Sequence, residues 1–452
     1  MGCKVVMIGG GSYGWTPTLA KDLFLRQALR GGELALVDVN AEALELLAAY
    51  CTRVAKKARC GWKVTACKLE TALRGADFVC VSISTGGLET MHLDYHIPER
   101  FGVYHTVGDT VGPGGISRTL RNVPVFVDFA RKMEKHCPKA WMIHVTNPLS
   151  QLTRAVCKAS SIKCVGLCHN FHGTRSFLAS YLGVPAGQID ATSVGVNHFT
   201  WLKDLTCRGK CVDSGRLSLR EYLRYAARQK GPLKTGTTDD EIEAMLGAEE
   251  LGYYLGFELF ERFGHFPVGG APHVAENLPY YCNGPRTLKR HRIRRKGVLP
   301  GRRKGKEKAR QRLVEIVKRK QRLPKLKASG EGFAGIVESL HTGKLSRQIV
   351  AMPNTGQVSN LPKDVIVETW ALAGERGILP VSSGPIPDGI TGLMQTIVDE
   401  QELAVEAALT GDRNKVVQAM AVSPMLANKD AAEALADELL AAHKDLLPQF
   451  AK

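Results

Sequence analysis

Near the start of the chain the run Gly9-Gly10-Gly11-Ser12-Tyr13-Gly14 follows a short apolar stretch, Lys4 to Ile8, and opens a segment of helical character. A strand that passes through a glycine-rich turn into a helix restricts the fold sharply, because such a turn belongs to the first crossover of a parallel sheet. The pattern then repeats. Further apolar runs at Leu34 to Asp38, Phe78 to Ser84, Trp141 to Val145 and Lys163 to Leu167 alternate with helical stretches. Their lack of polar alternation is what strands covered by helices on both faces require. The expected fold is α/β: a Rossmann-like doubly wound sheet over residues 1-200, then a mainly helical α+β C-terminal domain over 201-452 for substrate and oligomer contacts. Helices are expected over Asp239 to Glu261, Lys306 to Lys320 and Asp399 to Ala408, with an amphipathic one over Ala431 to His443.

The glycine turn has a chemical use. Glycine lets the backbone approach a pyrophosphate, and the helix N-terminus behind it stabilises the negative charge. Asp38 ends the next strand, where a carboxylate can accept from a ribose hydroxyl. Gly9, Gly11, Ser12, Gly14 and Asp38 are therefore the candidate dinucleotide contacts, and the acidic residue selects NAD rather than NADP. A purely structural turn is the alternative.

Four other short motifs carry polar chemistry. Asp109 sits in Val107-Gly108-Asp109-Thr110-Val111-Gly112-Pro113-Gly114-Gly115, and Asn147-Pro148 follows an apolar run. Cys168-His169-Asn170 closes the run ending at Leu167, and Asn197-His198-Phe199 comes later. Ligands of open α/β sheets lie beyond the carboxyl ends of strands, so Cys168 and His198 could share a divalent ion there. By spacing alone a buried thiol and a core histidine are the better fit. Asp109 and Asn147 can likewise be read as turn residues.

Composition removes several classes. No apolar run reaches the roughly 18 residues of a membrane span, and Lys4 enters a strand at once, so no membrane association and a cytoplasmic location are expected. The 12 cysteines form no regular framework. The net charge of +17 raises nucleic acid as a partner, but much of the excess lies in a basic insertion between Arg286 and Lys327, punctuated at Leu299-Pro300-Gly301. No Phe, Trp or Tyr lies between Tyr281 and Phe333 to stack on bases. A solvated, loop-rich basic segment is the plainer reading.

Taken in order, Ile83-Ser84-Thr85-Gly86-Gly87, Ile97-Pro98-Glu99-Arg100-Phe101-Gly102, Gly108-Asp109-Thr110-Val111-Gly112-Pro113-Gly114-Gly115-Ile116, Thr146-Asn147-Pro148, Gly166-Leu167-Cys168-His169 and Val196-Asn197-His198-Phe199-Thr200-Trp201 resemble glycoside hydrolase family 4. The likeness continues through His273-Val274-Ala275-Glu276, Asn354-Thr355-Gly356-Gln357, Asn360-Leu361-Pro362 and Val367-Glu368.

The resemblance implies a glycosidase that departs from the usual two-carboxylate scheme. In the family, NAD⁺ takes hydride from sugar C3, the ketone acidifies the C2 proton, and the glycosidic oxygen leaves by elimination. Water then adds and the hydride returns. Mn²⁺ held by Cys168 and His198 would act as Lewis acid, Asp109 as the acid at the leaving oxygen, and Asn147 as a binder of sugar hydroxyls. For the base at C2 the resemblance offers a tyrosine of the second domain, Tyr280 or Tyr281, or else His265, with Tyr280 the choice. His169 and Asn170 follow the metal cysteine where members differ by substrate; the histidine resembles members acting on unphosphorylated α-galactosides, α-glucosides or uronides. A carbohydrate substrate and a homodimer or homotetramer are implied. Two rivals share parts of this pattern: an NAD-dependent hydroxy-acid or sugar dehydrogenase, and a nucleic-acid-associated basic protein.

Overall fold

The computed structural model describes residues 2–212, 215–295, 299–319 and 321–451. Lys296, Gly297, Val298 and Lys320 of the basic segment lie outside the described residues. Six parallel strands build the centre: β1 (Lys4–Ile8), β2 (Glu33–Val37), β3 (Lys63–Ala66), β4 (Phe78–Val81), β5 (Trp141–His144) and β6 (Lys163–Gly166). They lie in the order 3-2-1-4-5-6, which is the doubly wound arrangement. β3 has no counterpart among the apolar runs of the sequence. It is the sheet's edge, and Lys63 and Ala66 at its ends face solvent, so no continuous apolar run was needed.

A smaller sheet follows, made of β7 (Ile189–Val196), β8 (Phe199–Cys207), β9 (Lys210–Cys211) and β10 (Phe266–Pro267). The chain then returns. β11 (Ser346–Pro353), β12 (Ile366–Gly374) and β13 (Gly377–Pro380) add antiparallel to β6, giving a nine-stranded main sheet. The main sheet is thus not confined to the first 200 residues. The later strands cover the β6 edge, whose backbone groups would otherwise be unpaired.

Helices fill both faces. On one side Gly112–His136, Leu149–Ala159 and Asp388–Thr410 pack around Ile116, Leu120, Leu152 and Ile397. On the other, Trp15–Phe24 and Ala41–Ala58 cover Val5, Met7 and Leu34. The helix expected over Asp239 to Glu261 is two helices, Asp239–Met245 and Tyr254–Phe263, parted by a stretch containing Gly247 and Gly252. Gly and its low helix propensity account for the break. Conversely, Leu299-Pro300-Gly301 is no interruption: it starts the helix Leu299–Val317, where proline in the first turn loses no intrahelical bond. Leu313 and Ile316 of that helix are buried against the second core. Half of the basic segment is therefore packed structure rather than solvated loop. Among the described residues no helix is long and apolar enough to cross a membrane.

Glu400, in Asp388–Thr410, is fully buried and accepts from the backbone N–H of Gly112 at 2.8 Å, fixing the start of Gly112–His136. Burial pushes its carboxyl up to about 7 from the ordinary 4.5. Between those values the folded state holds a proton that the unfolded chain releases, so stability falls as pH rises through the window, by about 3 kcal/mol in all from this group. Glu400→Gln keeps the acceptor and removes the titration. Its stability, measured by denaturant unfolding at pH 5 and pH 8, is expected to fall less with pH than that of the wild type.

Candidate active site

The carboxyl ends of β1, β4, β5 and β6 converge, and the polar motifs lie just beyond them. Gly9 has φ +86°, and a Cβ there would collide with the Ser82 carbonyl at the end of β4. A Cβ on Gly11 would lie 2.6 Å from the Asp38 carboxyl carbon. At Gly9 only glycine fits, and at Gly11 a side chain would have to push the Asp38 carboxylate aside. Asp38 accepts from the N–H of Gly11 at 2.7 Å and of Asn40 at 2.9 Å, so the carboxylate closes the turn from the β2 side. Ser12 Oγ accepts from Trp15 N–H at 3.2 Å, and the helix Trp15–Phe24 begins directly after Gly14. The cradle has the tight turn, the helix N-terminus and the carboxylate that a dinucleotide's pyrophosphate and ribose need.

Asp109 ends a loop that one buried carboxylate shapes. Glu276 Oε1 accepts from the backbone N–H groups of Thr106, Val107 and Gly108 at 2.7, 2.8 and 2.9 Å, and from His105 Nδ1 at 3.0 Å. The tautomer follows from the far side of the ring. His105 Nε2 accepts from Gly114 N–H at 2.9 Å, so the proton is on Nδ1. Glu276 thereby fixes both the loop before Asp109 and the helix after it.

His198 arrives from the other sheet. Asn197 and His198 form the two-residue turn joining β7 to β8, and His198 takes φ +64°, a conformation unusual for a side chain of this size. Long-range contacts hold it there. Asn277 Nδ2 donates to the carbonyls of His198 at 3.1 Å and His273 at 2.9 Å, while Asn197 Nδ2 donates to Glu368 of β12 at 2.7 Å. Burial raises Glu368 to about 7.

The side chains meet at one centre. One ligand atom each from Asp109, His198 and His273 lies within 4.8 Å of the others. Thr110 Oγ1 donates to Asp109 at 2.8 Å and stands 2.7 Å from His198 Nδ1. With its proton committed to the carboxylate, that hydroxyl can only accept from the imidazole, which leaves His198 Nε2 unprotonated and able to bind a cation. Burial holds the His198 imidazole below its ordinary value despite Asp109 nearby. Burial opposes ionisation of Asp109, but the charges of His198, His273 and Arg118 outweigh it and keep the carboxyl well below the usual range. The carboxylate form suits Asp109 to sit beside a cation. The donor set of carboxylate and imidazoles fits a first-row divalent ion.

The remaining expected residues divide. Asn147 Nδ2 donates to Asp109 at 3.2 Å, placing its amide in the centre. Cys168 stands beside Glu368 and Asp109; burial, reinforced by both charges, pushes its thiol well above the ordinary range. His169 is exposed at the start of the helix Asn170–Tyr181, and its charge reaches His198. Asn170 is buried with no partner for Nδ2 among the described residues. Tyr280 is not brought in. It is 51% exposed, packs edge-on against Tyr281, and has no described hydrogen bond or ion pair to Asp109, Cys168 or His198.

Two family profiles match the chain: "Family 4 glycosyl hydrolase" over residues 4–184 and "Family 4 glycosyl hydrolase C-terminal domain" over 193–426. An alpha-galacturonidase of Bacillus subtilis is 34% identical over 449 residues, covering 97% of this chain and 96% of its own. The solved lplD protein of Bacillus subtilis is 32% identical with a TM-score of 0.84, covering 97% of this chain and 100% of that one. A 6-phospho-alpha-glucosidase from gut microorganisms, solved in complex with NAD and Mn2+, shares the fold at 20% identity, TM-score 0.81, over 99% and 100% of the two chains.

Two substitutions test the centre. Glu276→Ala strands three backbone donors and His105, and is expected to cost about 3 kcal/mol or more in denaturant unfolding. Asp109→Asn keeps the shape and removes the charge; calorimetric titration with Mn²⁺ is expected to show binding weakened roughly 100-fold.

Proposed function

Because the chain belongs to family 4 of the glycosyl hydrolases in both its halves, we propose that it hydrolyses the glycosidic bond of an unphosphorylated α-linked hexuronide or hexoside, with NAD⁺ and Mn²⁺ as cofactors. The observation that carries this reading is the cluster of Asp109, His198 and His273 at the same strand ends as the glycine turn. When bound, the dinucleotide supplies reversible oxidation at sugar C3 and the cation a Lewis acid for the adjoining oxygens.

The chain's own residues take the following parts. Gly9, Gly11, Ser12 and Gly14 shape the pyrophosphate cradle, and Asp38 accepts from ribose. Cys168 and His198 hold the cation, with Asp109 and His273 completing the set. Asn147 Nδ2 and Asn170 Nδ2, the latter without a partner among the described residues, offer N–H donors to sugar hydroxyls. The relative named for galacturonides and the histidine at 169 support an unphosphorylated sugar.

Removing the divalent ion with a chelator, or NAD⁺ by desalting, is expected to abolish release of nitrophenol from α-linked nitrophenyl glycosides. Adding back Mn²⁺ and NAD⁺ should restore it, with no net accumulation of NADH by absorbance. Substrate deuterated at C2 should turn over more slowly. Hydrolysis that continues undiminished without either cofactor would sink the reading.

A further inference from the structure

The proposed chemistry leaves the basic segment without a part, and the order of strands in the main sheet supplies one. β1, with the glycine turn at its end, lies between β2 and β4. The helices that follow those two neighbours are Ala41–Ala58 and Gly87–His96, and the basic helix Leu299–Val317 packs against both. Its ion pairs fall on their first turns. Arg303 pairs with Glu89, and Arg310 Nη1 stands 3.6 Å from Glu42 Oε1. A helix fixed to both flanks of β1 spans the mouth of the glycine turn.

The contacts leave a space there. A cavity of about 440 Å³ is lined by Tyr13 of the glycine turn, Asn40 just after Asp38, Leu88 beyond β4, and Lys306 and Arg310 of the basic helix. Over this stretch the helix has no core beneath it: no residue from 299 to 312 is buried, and its seat is Leu313 and Ile316 toward the other end. Helices draw most of their stability from a packed face, so turns carried on ion pairs beside a void lack what a ligand in that void would supply. The rim is also suited to a flat ring. Val39, between Asp38 and Asn40, is a fully exposed apolar side chain.

The charges around the cavity are not equally engaged. Arg303 is paired with Glu89, and Arg310 Nε lies 2.9 Å from Glu307 in addition to its contact with Glu42. Lys306 enters no ion pair or hydrogen bond among the described residues. Its ammonium lines the same cavity as Tyr13, beside the turn shaped for a diphosphate.

We propose that this cavity takes the adenosine diphosphate half of the cofactor, with the basic helix as its outer wall and the Lys306 ammonium paired to the diphosphate. This rests on the dinucleotide reading above. The adenine ring then covers Val39 and Leu88, and the basic segment closes the cofactor site rather than the sugar site. Glu42 and Glu307, which line the cavity too, repel a further phosphate on the ribose. Selection of NAD over NADP is therefore shared by the helix and does not rest on Asp38 alone.

The test uses the full chain and reads binding without turnover. Calorimetry compares ADP-ribose, NAD⁺ and NADP⁺ on the wild type, Lys306→Gln and Lys306→Glu, at low and high salt. Limited trypsin digestion of the wild type follows cutting between residues 299 and 317, with ADP-ribose or nicotinamide mononucleotide added. In Lys306→Gln the affinity for ADP-ribose is expected to fall about 3- to 10-fold at low salt and less at high salt, and Lys306→Glu should lose more. ADP-ribose should slow cutting of the helix, and nicotinamide mononucleotide should not. Three results overturn the proposal: unchanged ADP-ribose affinity in both variants, cutting at the same rate with and without saturating ADP-ribose, or tighter binding of NADP⁺ than of NAD⁺. The readings fail separately. A wild type that binds no ADP-ribose removes the dinucleotide reading and the wall together; binding that ignores Lys306 removes the wall alone; binding that depends on Lys306, without turnover of any glycoside, keeps the wall and removes the glycosidase.

Discussion

One buried carboxylate organises this site. Glu276 gathers three successive backbone N–H groups and an imidazole, and the loop it folds delivers Asp109 to the centre. A loop cannot bury its donors without such an acceptor. The carboxylate in turn is held by four donors that only the native arrangement brings together, so the loop and the start of the helix after it are fixed together. Gly112, at the beginning of the same helix, meets a second buried carboxylate, Glu400. Two acidic side chains from the C-terminal half thus set the geometry of a loop in the N-terminal half.

Much of this was legible in the sequence, and the reasons are local. The glycine turn, Asp38 and the apolar strands announce themselves within a few residues, because strand, turn and helix are short-range events. Cys168, His198, Asn147 and Asp109 were marked by a run of motifs in a fixed order. What could not be read were the partners. Glu276, Asn277 and Glu368 act across 79 to 171 positions on their targets, and nothing at either end of such a bond signals the other. His273 lay in a recognised motif, yet its place beside Asp109 and His198 appears only in three dimensions.

Other features were hidden for equally physical reasons. Nothing local shows that the Tyr280 ring lies on the surface. Asp109 carried the acid's role through the resemblance; that two histidines and an arginine converge on it and favour the ionised form is visible only in three dimensions. The basic segment looked like solvated loop because charge dominates its composition. Leu313 and Ile316, only two buried residues in its long helix, are enough to seat it on the core.

The three antiparallel strands added beside β6 bear on the order in which a growing polypeptide can mature. Glu368, which steadies the Asn197 side of the hairpin turn, is made some 170 positions after that turn. While the ribosome is still within the middle of the message, the nascent parallel strands can assemble, but His198 lacks both of its distant supports. The nucleotide cradle can therefore form early in synthesis, and the cation pocket only near its end.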